Sequence, residues 1–231
     1  MPVPHLHLLL MEEQFAHAFE QAAEGLRLHP SVTWTKHDSA LSMLPDHVQF
    51  DAIVSPANSY GLMDGGFDDA LSRAFSPIGE YDALTRIAQQ TLYKEWRGYA
   101  PPGTCTIVRI PDSFSAGNKN VWGTKHLLLC PTMRMPQNVT WDREVVYECI
   151  WSLLCAVDKH NSAEGAERIE SVLMPPLATG VGRVTPKRWA SQVVLAINHF
   201  IDATNEDTKW ESLSWNEVAL KTAKIQGTWY W

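Results

Sequence analysis

The segment from residue 51 to residue 71 constrains the fold most, because its pattern changes from strand-like to helical across a polar, glycine-containing loop. Ala52–Ser55 lies in a short apolar run between turn formers, which predicts a buried strand, and apolar residues recur at helical spacing from Phe67 to Phe75. Gly65 and Gly66 at the junction permit the close approach of a ligand. Since a helix start offers unpaired N–H groups and a dipole that favours anions, the segment predicts a phosphate-binding corner.

A second segment, residues 172–186, repeats this order of features. An apolar run leads into a loop that contains Gly180 and Gly182, and Pro186 suits the first turn of a following helix. Glycines in either loop alone are weak evidence, because most such glycines only turn the chain. The occurrence of both segments predicts two anion-binding corners.

Strand-like and helical patterns alternate along most of the chain. Predicted strands cover residues 6–10, 32–37, 52–55, 104–110, 126–130 and 171–177, and predicted helices cover residues 12–26, 69–74, 81–96, 144–159 and 186–201. Residues 112–120 are rich in turn formers and predict a protruding loop, and residues 204–208 predict a polar connection. This alternation is typical of a mostly parallel sheet covered on both faces, whose ligands bind at the carboxyl ends of the strands.

Composition limits the classes of function. The 231 residues, 45% hydrophobic and 19% charged, suffice for one main domain with a sizeable core. A formal charge of −7 argues against a general nucleic-acid surface, although backbone N–H groups can still hold one pyrophosphate. No run is long and apolar enough for a membrane span, and the first ten residues lack a secretory pattern, so we expect an intracellular protein, cytoplasmic or nuclear.

The cysteines and histidines do not predict a metal site or a bound cofactor. The four cysteines show no C-x-x-C spacing, which favours buried thiols over zinc ligands or disulfides. The nine histidines are scattered, with His5 and His7 alternating in a predicted strand.

Two motifs resemble the macrodomains, a family that binds ADP-ribose. The first comprises Ser55-Pro56-Ala57-Asn58 and Gly65-Gly66-Phe67-Asp68, and the second is Ala178-Thr179-Gly180-Val181-Gly182. The resemblance covers roughly residues 30–202 and looks most like a divergent branch that includes phage-tail-associated macrodomain proteins. It implies a three-layer α/β/α sandwich with a mixed, mostly parallel central sheet. Residues 1–204 would form this domain, and a Trp-rich extension, residues 205–231, would pack on it or bind a partner.

The resemblance also implies a set of ligand-binding residues. Asp38 would accept a hydrogen bond from the adenine amino group, with an N-cap as its alternative role. The implied ligand-binding residues are Asp38, Pro56, Ala57, Asn58, Gly65, Gly66, Phe67, Thr179, Gly180, Val181, Gly182 and Arg183. Three stretches depart from the family pattern, namely Ser55-Pro56, residues 62–64 and residues 183–185, where an aromatic residue often packs on the distal ribose.

Hydrolysis of an ADP-ribosyl linkage is the activity that the resemblance implies. Asp68 would activate water for attack at the anomeric carbon of the distal ribose without a metal, and Asn58 would help to fix that water. Asp64 or Asp69 could take the place of Asp68, because the loop departs from the usual pattern. The alternative role of the acids is to compensate the helix dipole, and that of Asn58 is to form the turn. ADP-ribose or an ADP-ribosylated protein is the expected partner. A non-catalytic ADP-ribose reader and an ADP-ribose-phosphate phosphatase remain open.

Overall fold

One mixed sheet organises the chain in the computed structural model, which describes residues 3–115 and 120–231. Its strands are β1 (His5–Leu9), β2 (Trp34–His37), β3 (Ala52–Ser55), β4 (Thr106–Arg109), β5 (His126–Leu129) and β6 (Ser171–Met174). Their order across the sheet is β2-β1-β6-β3-β5-β4. The paired strands are parallel except for β4, which runs antiparallel to β5. The carboxyl ends of the other five strands therefore meet at one edge of the sheet.

Helices cover both faces of this sheet. They are α1 (Glu13–Gly25), α2 (Gly66–Phe75), α3 (Ala83–Trp96), α4 (Val145–Asn161), α5 (Pro186–Asn205), α6 (Asp207–Trp210) and α7 (Trp215–Gln226). Side chains of α1, α4 and α5 form one hydrophobic cluster, and side chains of α2 and α3 form the other. Successive residues of β3 and β5 alternate between the two clusters, as a strand buried on both faces requires. The prediction of a three-layer α/β fold with a mostly parallel sheet is confirmed.

Asp51 fixes the central strand at the opposite, amino edge of the sheet. One oxygen of its carboxylate accepts hydrogen bonds from the backbone N–H groups of Glu170 and Ser171, both at 2.8 Å, and from the Ser171 hydroxyl at 2.9 Å. Charge-assisted hydrogen bonds to a carboxylate are among the stronger ones in proteins. Asp51 therefore sets the start of β6 against the start of β3.

The C-terminal residues form two helices that the sequence did not predict. The expected polar connection at residues 204–208 is wrong, because α5 continues to Asn205 and α6 begins at Asp207. The indole of Trp210 stacks on Trp151 of α4 with ring centroids 5.4 Å apart and donates a hydrogen bond to Asp202 at 2.9 Å. Burial acts to raise the pKa of Asp202, but hydrogen bonds from Lys221 and Trp210 outweigh it and lower the pKa to about 2. These contacts join the extension to α4 and α5.

The structure also bears on the predictions of buried thiols and of a protruding loop at residues 112–120. Cys130 and Cys149 are buried, but the expectation of buried thiols is wrong for Cys155, which lies on the exposed side of α4. Asp112–Ser115 forms a short 3₁₀ turn within the predicted protruding loop, and residues 116–119 of that loop lie outside the described residues. No helix of the described ranges has the length and apolar character required to cross a bilayer.

Candidate functional site

A cleft of about 340 Å³ lies at the carboxyl edge of the sheet. Its walls come from the loops that follow β1, β6, β3 and β5, four parallel strands that are adjacent in the sheet. In open α/β sheets this edge is where ligands bind. The sheet thus brings together the two loops that the sequence singled out.

The loop after β3 is held in place by hydrogen bonds that continue the pairing of β3 with β5. The N–H of Thr132 donates to the carbonyl of Ala57, and the N–H of Ser59 donates to the carbonyl of Met133, both at 2.9 Å. These bonds place Pro56, Ala57 and Asn58 in the wall of the cleft.

The Asn58 side chain is itself part of the turn. Its oxygen accepts from the N–H groups of Tyr60 and Leu62, at 3.1 and 3.4 Å, and its amide donates to the Leu62 carbonyl at 2.7 Å. The turn-forming role that the sequence left open for Asn58 is therefore observed. Asn58 also lines the cleft.

The start of α2 faces the same cleft. Gly65, Gly66 and Phe67 line it, and no side chain caps the first turn of the helix. Gly66 has a φ of +57°, a conformation that favours glycine, and a methyl group added at either glycine would meet no atom within 4 Å. Unpaired N–H groups at a helix start attract anions, so this turn is a candidate phosphate site.

Asp68 is a buried carboxylic acid in the wall of the cleft. Only 6% of the residue is exposed, and the Ser55 hydroxyl donates a hydrogen bond to its carboxylate at 2.6 Å. Burial raises the pKa of Asp68 to about 7, against the lowering effect of the Ser55 hydrogen bond and with a further raising effect from Asp64. Asp68 can therefore exchange a proton near neutral pH.

The other two acids near the start of α2 differ from Asp68. Asp64 lines the cleft but is exposed. Asp69 lies outside the cleft lining, where its carboxylate accepts hydrogen bonds from Arg73 at 2.8 Å and Tyr81 at 2.6 Å, which hold its pKa below the usual value. Of these three acids, Asp68 alone is both buried and part of the cleft lining.

The loop after β6 forms the opposite wall. Thr179, Gly180, Val181 and Gly182 all line the cleft. The N–H of Val184 donates to the carbonyl of Ala178 at 3.0 Å, which closes the loop on itself. A methyl group at Gly182 would lie 2.4 Å from the carbonyl oxygen of Ala178, so this turn requires glycine.

Of the second predicted corner, the loop lines the cleft but the helix start does not. The first turn of α5 does not line the cleft, and the Thr185 side chain caps it by accepting from the N–H of Arg188 at 3.2 Å. The Thr185 hydroxyl in turn donates to the backbone carbonyl of Trp231 at 2.9 Å. The expectation of a second helix start in the cleft is therefore wrong, because this turn lies outside the cleft lining and Thr185 caps one of its N–H groups.

Two of the predicted ligand-binding residues lie outside the cleft lining. Arg183 is exposed and has a φ of +59°. Asp38 is exposed and follows β2, one strand beyond β1 at the same edge of the sheet. Their roles in binding stay predictions.

Two parts of the cleft, the loops after β1 and β5, were not predicted from the sequence. Met11 and Glu12 follow β1, and Thr132, Met133 and Pro136 follow β5. Neither loop contains a glycine-rich motif, but both follow predicted strands of a parallel sheet. The rule that ligands bind at the carboxyl ends of strands was the one signal for them.

Comparison with known proteins supports the fold. No family model matches the chain. An Oceanobacillus iheyensis macrodomain mutant with ADPR is 18% identical over 68% of this chain and 73% of its own, with a TM-score of 0.50. The macrodomain of the same organism with ADP is 18% identical over 77% of this chain and 83% of its own, with a TM-score of 0.49. The chain therefore has the macrodomain fold, and its narrower resemblance to phage-tail-associated proteins stays a prediction.

We expect Gly182→Ala to destabilise the protein by about 1–3 kcal/mol, because the added methyl group forces the loop after β6 to shift. Gly180→Ala is the matched control, since its methyl group meets nothing within 4 Å. Chemical denaturation of both variants checks the difference. Equal stability of the two variants would show that the loop adapts without cost.

We expect Asp68→Asn to stabilise the protein at pH 8 more than at pH 4. The pKa of Asp68 is raised from 3.8 to about 7, so the native state binds the proton more tightly than the unfolded state does. Wild-type stability therefore falls as the pH rises through this window, by up to about 4 kcal/mol, and the neutral amide removes that loss. Unfolding free energies of both proteins from pH 4 to pH 8 test this, and parallel curves would contradict it.

Proposed function

We propose that the cleft binds ADP-ribose and that the protein hydrolyses ADP-ribosyl linkages on proteins or on small ADP-ribose derivatives. The support is a macrodomain fold with one cleft wall made by an uncapped helix start and the other by a glycine-containing loop. The related O. iheyensis structures carry ADPR and ADP.

In this proposal the pyrophosphate lies between the two walls. Backbone N–H groups of Gly65–Phe67 would contact it from one side and those of Thr179–Gly182 from the other, which requires no net positive charge. The adenine would extend toward Asp38, and the distal ribose toward Asp68. The mainly backbone character of both walls is compatible with the protein's formal charge of −7.

The buried Asp68 is the observation that carries the proposal of catalysis. A carboxylate with a pKa of about 7 is well matched to accept a proton at neutral pH. As a water oxygen bonds to the anomeric carbon, Asp68 would accept the water proton. In the same step the bond from that carbon to the leaving group breaks, and the leaving group departs with the electron pair and takes up a proton from solvent. The carboxylate charge would also stabilise the oxocarbenium-like transition state.

One observation favours the alternative of a non-catalytic reader. The Asn58 amide is engaged with the backbone of Tyr60 and Leu62, so its capacity to fix a water molecule is reduced. A reader would keep the same binding walls and would not turn over any linkage.

Binding and turnover together test the proposal. We expect calorimetry to show saturable binding of ADP-ribose, with AMP and inorganic phosphate as controls, and we expect release of ADP-ribose from at least one of several linkage types. Asp68→Ala should lower turnover at least ~100-fold and change the ADP-ribose affinity little. Asp69→Ala is the matched control, because its carboxylate lies outside the cleft. Binding without turnover would establish a reader, and no binding would exclude both functions.

The pH dependence of turnover tests the role of Asp68 as a base. Activity should rise as the pH increases through about 7, where Asp68 loses its proton. Ser55→Ala removes the hydrogen bond that stabilises the ionised form, so we expect the midpoint of the pH–rate profile to move upward by about one unit. Ser72→Ala, which removes another buried hydroxyl near this site, should leave the midpoint unchanged. A midpoint that does not move in Ser55→Ala would contradict the assignment of Asp68 as the base.

A further inference from the structure

Beside the cleft lies a surface of exposed aromatic and basic side chains. We call it the tail surface, and it lies on the chain segments 138–143, 185–187 and 228–231. Trp141 is 68% exposed and Tyr230 is 81% exposed. Large aromatic side chains exposed together are more typical of an interaction site than of an inert surface.

Buried polar side chains of α5 hold the tail surface in place. The guanidinium of Arg188 donates to the carbonyl of Thr140 at 3.2 Å and to that of Trp229 at 2.5 Å. One turn further along α5, the amide of Gln192 donates to the carbonyl of Arg143 at 2.6 Å and to the Thr228 hydroxyl at 2.9 Å. The exposed rings therefore project from a framework with fixed hydrogen bonds, which lowers the entropy cost of binding to them.

The tail surface is continuous with the wall of the cleft. The N–H of Val139 donates to the carbonyl of Gly182 at 3.0 Å, and Thr185 contacts the backbone of Trp231. Gly182 lines the cleft, as described above. The tail surface therefore adjoins the cleft at Gly182.

The cations of the tail surface lie over aromatic rings. The guanidinium of Arg143 is 5.0 Å from the ring centre of Trp229 and 5.5 Å from that of Tyr230, and the ammonium of Lys187 is 4.4 Å from that of Trp231. Within residues 3–115 and 120–231, neither cation forms an ion pair with a carboxylate. Both are exposed and remain able to bind an anion.

Asp142 of the tail surface and the adjoining Glu144 are both hydrogen-bonded. The carboxylate of Glu144 accepts from the indole N–H of Trp229 at 2.9 Å. The carboxylate of Asp142 is half-buried and accepts backbone hydrogen bonds from Glu144 and Val145, at the start of α4. The exposed Arg143 and Lys187, with the buried Arg188 behind them, outnumber Asp142 and Glu144, so the tail surface is locally basic although the whole chain carries a formal charge of −7.

We propose that the tail surface binds an acidic peptide segment next to the ADP-ribosyl group of a modified protein. This rests on the proposed function of the cleft and adds a preference for the sequence around the modification. Arg143 and Lys187 would pair with carboxylates of the segment, and Trp141 and Tyr230 would pack against its side chains. A short acidic segment meets only this local basic region, whereas a nucleic-acid strand would extend over the acidic remainder of the protein.

The proposal is tested by measuring, at low salt, the affinities of two ADP-ribosylated peptides. The peptides differ only in the residues that flank the modification, which are four Glu in one and four Gln in the other. We expect the Glu peptide to bind about five to ten times more tightly. The double variant Arg143→Gln/Lys187→Gln should abolish this difference and leave the affinity for free ADP-ribose unchanged. Lys125→Gln/Arg168→Gln, the same charge change at the amino edge of the sheet, should keep the difference.

Unmodified peptides and a thymidine oligonucleotide complete the experiment. If free ADP-ribose fails to bind, the proposed function is refuted but the inference about the tail surface is still tested. The unmodified Glu peptide tests it, because we expect this peptide to bind the wild type weakly and in a salt-sensitive manner and to lose that binding in the double variant. Equal affinities of the wild type for the Glu and Gln peptides would overturn the inference. Tighter binding of the oligonucleotide than of the Glu peptide, lost in the same double variant, would overturn it in favour of a nucleic-acid partner.

Discussion

The parallel pairing of β6 between β1 and β3 is the constraint on which the site depends. β6 pairs with β1 from His5 opposite Ser171 to Leu8 opposite Met174, and its two middle residues, Val172 and Leu173, also pair with β3. Asp51 fixes the start of β6 by three hydrogen bonds at the amino edge. Strands in this register end at the same edge of the sheet. The register therefore brings the loops after β1, β6 and β3 together in the cleft.

Burial of Asp68 raises its pKa and also reduces the stability of the fold at neutral pH. The same desolvation that brings its pKa to about 7 makes the ionised native state less stable as the pH rises. The histidines act in the opposite direction. Burial lowers the pKa of His7, His126 and His199 to about 4, so the stability that they contribute is present above their unfolded pKa and is lost as the pH falls below 6.5. The two effects oppose each other between pH 4 and pH 7.

Most of the fold could be predicted from sequence because its strands are short apolar runs and its main helices have clear periodicity. The positions of α6 and α7 could not, since these helices depend on tertiary contacts such as the stacking of Trp210 on Trp151. Within the site, glycine motifs identified the two walls, but the residues after β1 and β5 carry no distinctive pattern. The hydrogen bond from the Thr185 hydroxyl to Trp231 was also hidden, because the two residues are distant in sequence.

The capping of α5 by Thr185 makes the two walls of the cleft chemically different. At α2 the first turn has no side-chain cap and lies in the cleft, so it can offer both its N–H groups and the helix dipole to an anion. At α5 the first turn is occupied by Thr185, and the loop before it can offer only its own backbone. An anion in the cleft would thus be held more strongly on the α2 side, which is also the side of Asp68. The loop after β6, tied through Gly182 to residues 138–143, would instead connect the bound ligand to the tail surface.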